Sequence, residues 1–362
     1  MSENHPLGSD DPALNHLAKA FEKAAHKLYM PDCPLYSILS SSVALDRELL
    51  ALATHTRQGQ APTILLFYVV HYLLLRGEKH PLAKFYAGLT DNPAPPDDAP
   101  PVFADFCREH REEISGLLTM RLVQTNEVLR SALLLPAIVL AAEKAGGAPL
   151  ALVGLGASAG LNLFFDRYGY DYGNGLHCGD LSSPLQLSCK LRGSLRPPIP
   201  TAMHKISSRI GIDLNPLDVR NHDEYLWLFA QTWPENSFKS RAERLRLAVE
   251  LVRQSPQRLI TGDVVEVLRE VIAEVPQDQV ICLLHSFFFY ELPKDRKEML
   301  NANISRCAAK RPILSVGLEW GSDDLTLAAG LELARYKEDG EKETKKLAKC
   351  HDHGEWMEWL YS

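Results

Sequence analysis

The sequence has 362 residues, of which 46% are hydrophobic and 23% are charged, and its formal net charge at pH 7 is −7. This composition is typical of a globular protein with more than one domain, and the acidic balance argues against a nucleic-acid partner, which usually requires a basic surface. The longest apolar run, 64–75, is too short to span a bilayer, and the polar N-terminus does not look like a signal peptide. The seven cysteines are scattered along the chain and favour free thiols in a reducing compartment. We therefore expect a cytoplasmic protein with no membrane partner, and the sequence leaves its oligomeric state open.

Residues 1–146 predict a helical domain. Asp11 precedes a proline at a favourable helix start, and apolar residues then recur at helical spacing. The apolar run 64–75 is long for a strand and predicts a buried helix. A further helix is expected over 126–144, with a kink at Pro136, and two glycines stop it.

From residue 147 onward, short apolar runs alternate with helical patterns, which is typical of a parallel sheet with helices on both faces. The predicted strands are 149–155, 209–214, 258–261, 279–284 and 312–319. The predicted helices are 160–167, 222–233, 238–254, 264–274 and 294–308. Residues 168–200 have β-hairpin patterning and form a predicted insertion, while 331–351 predicts a terminal antiparallel hairpin. The expected fold is thus an N-terminal all-α domain followed by an α/β domain over 147–362.

The stretch LVGLGASAGLN at 152–162 fits two templates with different chemistry. Residues 156–160 match G-x-S-x-G, the nucleophile elbow of serine hydrolases, in which Ser158 would attack the substrate. Its catalytic partners would then come from Asp323 or Asp324 and from His351 or His353. Hydrolase sheets normally have several strands before this elbow, whereas here a helical segment precedes it.

The second template is a nucleotide-binding turn between the first strand and the helix that follows. Gly154, Gly156, Ser158 and Gly160 stand at its alternating positions, and Asn162 opens the helix beyond it. Small residues allow a ligand to approach the backbone N–H groups of the turn. This template predicts a cofactor site around the turn.

Polar residues end the next three predicted strands at the same edge of the sheet. Asp213 follows the second strand, where a carboxylate accepts hydrogen bonds from ribose hydroxyls. Asp263 follows the third strand and His285 ends the fourth. Structural roles are the alternative for each of them, because Asp213 and Asp263 can cap the helices that follow and His285 can be a core residue.

A polar cluster begins the otherwise apolar helix predicted at 126–144. If the helix starts there, Asn126 and Arg130 share one face, and Glu127 lies beside them. Capping with an internal ion pair would explain these residues. The alternative is that Asn126, Glu127 and Arg130 line the substrate pocket above the sheet edge.

The ordered set of a glycine-rich turn, two strand-end acids, a polar fourth strand end and a terminal hairpin resembles class I S-adenosylmethionine-dependent methyltransferases over about residues 148–362. Two positions depart from that pattern, because Gly154 stands where those enzymes usually have a carboxylate and Ser158 where they have a glycine. The whole chain also resembles the bacterial family called domain of unknown function 2332. The stretches that carry this second resemblance are HYLLLRGEKHPLAKFY (71–86), QTNEVLRSALLLPA (124–137), GASAGLNL (156–163) and DRYGYDYG (166–173).

The methyltransferase resemblance implies methyl transfer from S-adenosylmethionine to a small molecule. His285 is the candidate general base, which is needed only if the acceptor is a weak nucleophile. The two alternatives are a non-catalytic nucleotide or metabolite binder on the same fold and a serine hydrolase that uses Ser158. We predict no metal site, since Cys350, His351 and His353 have no second pair of ligands at a known spacing.

Overall fold

The structure, a computed structural model, describes residues 11–124, 126–234, 237–255, 257–320 and 328–362. By its internal contacts the chain divides into two compact units. One unit comprises Met1–Thr125 and Asn221–Glu243, and the other comprises Asn126–Arg220 and Arg244–Ser362. This division differs from the boundary expected at residue 146.

The α-helices of the described residues are, in chain order, α1 (Pro12–Ala24), α2 (Pro34–Leu45), α3 (Arg47–Ala53), α4 (Pro62–Arg76), α5 (Ala99–Glu109), α6 (Arg111–Met120), α7 (Arg130–Lys144), α8 (His222–Ala230), α9 (Phe238–Arg253), α10 (Val264–Glu274) and α11 (Lys294–Ala308). A π-helical turn, Ala25–Tyr29, extends α1, and the 3-10 segments are Pro81–Phe85, Pro96–Asp98, Leu161–Arg167 and Phe289–Glu291.

The first unit is helical, as the sequence predicts for its N-terminal part. Asp11 caps α1, because its carboxylate accepts a hydrogen bond from the N–H of Ala13 at 2.9 Å. Helix α4 contains the apolar run 64–75, and its residues from Leu65 to Leu74 are all buried. The prediction of a buried helix is therefore confirmed. Within the described residues, no helix is both long enough and apolar enough to cross a membrane.

The strands are β1 (Leu150–Leu155), β2 (Gly169–Asp171), β3 (His177–Gly179), β4 (Gln186–Ser188), β5 (Lys190–Arg192), β6 (Ile206–Asp213), β7 (Arg258–Thr261), β8 (Val280–Ser286), β9 (Ile313–Trp320), β10 (Ala329–Tyr336), β11 (Lys342–Cys350) and β12 (Trp356–Trp359). All of them belong to the second unit. The larger sheet has the order β5-β12-β11-β10-β9-β8-β1-β6-β7.

The five predicted parallel strands are all present and form adjacent parallel pairs across this sheet. Across the sheet these strands lie in the order β7-β6-β1-β8-β9. Numbered by their order in the chain, they are the third, second, first, fourth and fifth of the five. This is the order of a doubly wound sheet, in which the chain first builds outward on one side of β1 and then on the other. The α/β class and the mostly parallel central sheet are thus confirmed. The core on one face of this sheet packs α10 and α11 against β1, β6, β8 and β9.

An antiparallel extension follows the parallel strands. Strands β10 and β11 pair antiparallel with each other, as predicted for the terminal hairpin, and β10 also pairs antiparallel with β9. The short strand β12 is an addition that the apolar pattern did not predict; it pairs with β11 and, in parallel, with β5.

The insertion after β1 is more elaborate than the hairpin expected at 168–200. Strands β2 and β3 do form an antiparallel hairpin. Of the alternating residues Leu185, Leu187, Cys189 and Leu191, the first three are buried and Leu191 is half-buried. However, β4 pairs in parallel with β2, and β5 joins the larger sheet. Alternation predicts which side chains are buried, and it does not identify the strand that pairs with the segment.

Helix α7 begins at Arg130, four residues later than expected. Glu127 holds the preceding turn, since its carboxylate accepts a hydrogen bond from the N–H of Leu129 at 3.1 Å. The expectation that Asn126 and Arg130 share one helical face is therefore wrong, because Asn126 lies outside the helix. Helix α7 continues through Pro136 and packs on β9 and β10 of the second unit.

Candidate functional site

The candidate site lies in the second unit, at the carboxyl edge of the parallel strands beside β1. The neighbours of β1 are β6 and β8, so the chain direction across the sheet reverses at this strand. Ligands of doubly wound sheets bind in the crevice at such a reversal. The turn 156–160, Asp213 and His285 come together at this edge because each ends or follows one of these three strands.

The turn after β1 has three residues in the left-handed region of backbone conformation. The φ angles are +65° at Gly156, +50° at Ser158 and +72° at Gly160. A Cβ atom at Gly156 would lie 2.5 Å from the ring of Phe288, and one at Gly160 would lie 2.4 Å from Oε1 of Gln257. Both glycines are thus required by conformation and by close packing, whereas Ser158 occupies a backbone position that favours glycine.

Most N–H groups of this turn are hydrogen-bonded within the protein. Those of Gly156 and Ala157 both donate to the carbonyl of Ile212, at 2.9 and 3.1 Å, and that of Gly160 donates to the carbonyl of Ala157 at 2.7 Å. The segment after the turn, Leu161–Arg167, is a 3-10 helix rather than the expected α-helix. The turn therefore offers fewer backbone donors to a ligand than the template predicts.

Asp213 links the turn to the loop after β6. Its Oδ2 accepts a hydrogen bond from the N–H of Ser158 at 2.8 Å, and its Oδ1 accepts one from the N–H of Asn215 at 2.9 Å. It does not cap the next helix, because Asn221 caps α8. These two bonds place the carboxylate between the turn and the loop, at the carboxyl edge of the sheet.

Gly154 lines a small cavity at the strand reversal, whereas Asp263 has a structural role. A Cβ atom at Gly154 would lie 3.2 Å from both Ala157 and Leu163, so that position faces the underside of the turn. Asp263 caps α10 by accepting from the N–H of Val265 at 2.9 Å, and it also forms an ion pair with Arg296. The capping alternative is therefore the observed arrangement at Asp263.

His285 is held by Glu319, a residue that the sequence did not single out. Nδ1 of His285 lies 2.7 Å from Oε1 of Glu319. The same oxygen accepts hydrogen bonds from the N–H groups of Phe288 and Phe289 at 3.1 Å each, and Oε2 accepts one from the N–H of Tyr290 at 3.3 Å. The carboxylate thus orders both the imidazole and the loop that follows β8.

The charge on Glu319 determines which nitrogen of His285 carries the proton. Burial raises the pKa of Glu319, but the hydrogen bond and charge of His285 and the N–H groups of Phe289 and Phe288 outweigh it, so the pKa is lowered overall. An ionised carboxylate only accepts hydrogen bonds, so Nδ1 of His285 donates to it, and a proton that leaves the ring leaves from Nε2. This arrangement suits a general base. The imidazole side chain is 11% exposed and packs over Gly317, where a Cβ atom would lie 2.2 Å from the ring.

His285 lines two cavities. One, of about 30 Å³, lies at the strand reversal and is also lined by Gly156, Asn126 and Asn162. Oδ1 of Asn126 is buried and has no hydrogen-bond partner among the described residues. The other cavity, of about 410 Å³, lies over β9, β10 and β11 and is also lined by Glu319.

The edge of the sheet offers polar groups suited to S-adenosylmethionine but too little open space for it. Two polar groups stand beside the turn, since the carboxylate of Asp213 bonds the N–H of Ser158 and Oδ1 of Asn126 has no partner among the described residues. The small cavity has room for water rather than for a nucleoside. The ring of Phe288 lies against Gly156, so a nucleoside on the turn requires this ring to rotate away.

The remaining predicted binding residues, Glu127, Arg130 and Asn162, are held by contacts within the protein. Glu127 is buried and lies 3.5 Å from the guanidinium of Arg244. Arg130 donates through Nε to the carbonyl of Asp352 at 2.8 Å, and its guanidinium lies 4.4 Å from the ring centre of Phe287. Asn162 accepts a hydrogen bond from the hydroxyl of Ser131 at 2.8 Å, which ties the turn to α7.

The hydrolase template receives little support from the geometry. Ser158 is 5% exposed and is not among the residues that line either cavity. Asp323 and Asp324 lie outside the described residues. His353 lies 3.9 Å from Glu127, and His351 contacts Asp352. In the described part of the chain, no group of three or more His, Cys, Asp and Glu side chains is arranged to hold a metal ion.

Comparison with known proteins identifies the family of the chain but assigns no activity to it. No curated protein and no solved structure matches the chain. Residues 18–359 match the model of a family described as "Uncharacterized protein conserved in bacteria (DUF2332)". Because the match covers nearly the whole sequence, the chain belongs to this bacterial family.

Proposed function

We propose that this chain is an S-adenosylmethionine-dependent methyltransferase that acts on a small molecule. The observation that carries the proposal is the strand order, which brings the glycine turn, Asp213 and the His285–Glu319 pair to one sheet edge on both sides of the strand reversal. The same ordered set underlies the resemblance to class I methyltransferases. We leave Asp263 out of the proposed site because capping and its ion pair with Arg296 occupy it.

In this proposal the bound cofactor supplies an electrophilic methyl group, and the protein positions the acceptor. Asp213 would accept hydrogen bonds from ribose hydroxyls, while Asn126 would accept one from a polar group of the ligand. Nε2 of His285 would accept the proton that a hydroxyl acceptor loses when it takes up the methyl group. Glu319 then stabilises the imidazolium, because its negative charge lies 2.7 Å from Nδ1.

Calorimetric titration with S-adenosylhomocysteine tests the proposal. We expect the wild type to bind and Asp213→Asn to bind at least about tenfold more weakly, since a hydrogen bond to a charged group contributes about 1.5–3 kcal/mol. Asp218→Asn is the matched control, because it removes a carboxylate from the same loop, where Asp218 pairs with Arg220. It should bind like the wild type. Absence of binding by the wild type at millimolar ligand would contradict the proposal.

A further inference from the structure

We infer that the larger cavity, of about 410 Å³, binds a small anionic molecule and that this molecule is the methyl acceptor. The assignment as acceptor rests on the proposed function, whereas the anion site stands on its own geometry. The volume lies in the range of about 300–1,000 Å³ that is usual for small-molecule sites.

The floor of the cavity is one face of β9 and β10. Its small residues are Ser315, Gly317, Gly330 and Ala334. A Cβ atom at Gly330 would have no neighbour closer than 3.8 Å, so the floor is open at this point. The aromatic residues Phe289 and Tyr336 also line the cavity. The small residues leave space in the cavity for a flat or slender ligand.

The His285–Glu319 pair lies at the β8 and β9 side of this cavity. His285 is also among the residues that line the small cavity beside the glycine turn. Within the described residues, Nε2 of His285 has no hydrogen-bond partner. A molecule in the larger cavity can therefore present a hydroxyl or amine to Nε2 at the side nearest the proposed cofactor site.

The β11 side of the cavity is cationic. Lys342, Lys346 and Lys349 line it there. Lys346 forms no ion pair in the described part of the chain, and Nζ of Lys342 lies over the ring of Tyr336, 5.1 Å from its centre. Glu332, opposite Lys346 in the strand register, is the carboxylate on this side. The other carboxylate that lines the cavity, Glu319, is bonded to His285 and to the loop after β8. The three lysines therefore outnumber the two carboxylates, which favours a ligand whose distal group is a carboxylate or a phosphate.

Ligand-observed NMR without any cofactor tests the anion site. The probes are 4-hydroxybenzoate, 4-hydroxyphenyl phosphate and the neutral 4-hydroxybenzamide. We expect one or both anions to bind and the amide to bind at least tenfold more weakly. The stronger anion identifies the distal group. Equal binding of the amide and both anions would overturn the inference.

Three variants locate the binding. The double variant Lys342→Gln/Lys346→Gln should weaken anion binding at least tenfold, whereas Lys345→Gln should leave it unchanged, because Lys345 bonds Tyr361 and does not line the cavity. Gly330→Val should also weaken binding, since its side chain enters open space in a strand that tolerates β-branched residues. Wild-type affinity in the lysine double variant or in folded Gly330→Val would overturn the inference. These measurements contain no cofactor. A negative result would therefore overturn the anion site alone, whereas absence of S-adenosylhomocysteine binding would contradict the proposed function.

Discussion

At the residue scale, the carboxylate of Glu319 links the proposed general base, His285, to the loop after β8. It accepts hydrogen bonds from His285 and from three consecutive N–H groups of the loop after β8. A glutamine at this position keeps the shape but loses the charge that fixes Nδ1–H of His285. The residue is therefore expected to act as a positioning group whose loss changes the tautomer of the imidazole as well as stability.

Glu319→Gln should lower the free energy of unfolding by about 1.5–3 kcal/mol at pH 7, the usual contribution of hydrogen bonds to a charged group. The folded-state pKa of Glu319 is lowered from 4.5, so its contribution is complete above that value and is lost as the pH falls through the folded pKa. The stability difference between variant and wild type should therefore shrink below about pH 4.5. Urea unfolding measures this difference, and nitrogen-15 NMR of His285 should show a smaller population with the proton on Nδ1 in the variant than in the wild type. An unchanged tautomer would contradict the positioning role.

Ser158 occupies a glycine-like conformation, with φ of +50°. Ser158→Gly should therefore leave stability unchanged or raise it by up to about 1 kcal/mol, because the left-handed strain of about 1–2 kcal/mol is offset by the entropy that glycine loses on folding. S-adenosylhomocysteine binding should persist in this variant and in Ser158→Ala. Labelling of Ser158 by a fluorophosphonate probe, absent from Ser158→Ala, would instead support the hydrolase template.

Phe288 lies where a nucleoside would approach Gly156. If its ring must rotate away before the cofactor binds, Phe288→Ala removes that cost and should tighten S-adenosylhomocysteine binding severalfold. Phe287→Ala is the neighbouring control, because Phe287 packs under Arg130 instead. Calorimetry compares the two variants, and weaker binding by Phe288→Ala than by the wild type would show that the ring contributes to the site.

At the element scale, the alternation of apolar runs and helical patterns was sufficient to predict β1, β6, β7, β8 and β9 and the helices between them. These elements have strong periodicity or long apolar runs. Strand β12 is four residues long and lacks such a pattern. The start of α7 was also missed, because a side-chain bond from Glu127, rather than propensity, decides where the helix begins.

Helix α4 contains a buried titratable group, His71. Nδ1 of His71 lies 2.9 Å from the carbonyl of Ala230, and burial lowers the pKa of the imidazole to about 4, against the opposing effect of this bond. In the unfolded chain the imidazole of His71 has a pKa near 6.5, so it takes up a proton at a higher pH than in the folded chain. The free energy of unfolding should therefore fall as the pH decreases from 6.5 towards 4. Over this range the free energy of unfolding should decrease by about 3 kcal/mol, because each unit of pKa difference corresponds to about 1.4 kcal/mol.

His71→Asn keeps a donor for Ala230 and has no group that titrates in this range. Urea unfolding at several pH values should show a shallower slope for the variant between pH 6.5 and 4 than for the wild type. Identical slopes would show that His71 is not the titrating group.

At the scale of the whole molecule, the sequence could predict which strand ends carry polar residues but not which hydrogen bonds and contacts those residues form. Asp213 and His285 were identified because they end apolar runs. Glu319 ends such a run too, but its role depends on hydrogen bonds across 29 to 34 residues of chain, which no local pattern encodes. The same holds for Phe288, whose position against Gly156 is a tertiary contact.

A crystal structure of the chain with S-adenosylhomocysteine tests the central claim most directly. The account predicts the adenosine on the turn 156–160, the ribose hydroxyls within hydrogen-bond distance of Asp213, and the ring of Phe288 rotated away from Gly156. Ligand bound elsewhere on the chain, or a turn that stays covered by Phe288 at saturating ligand, would contradict it.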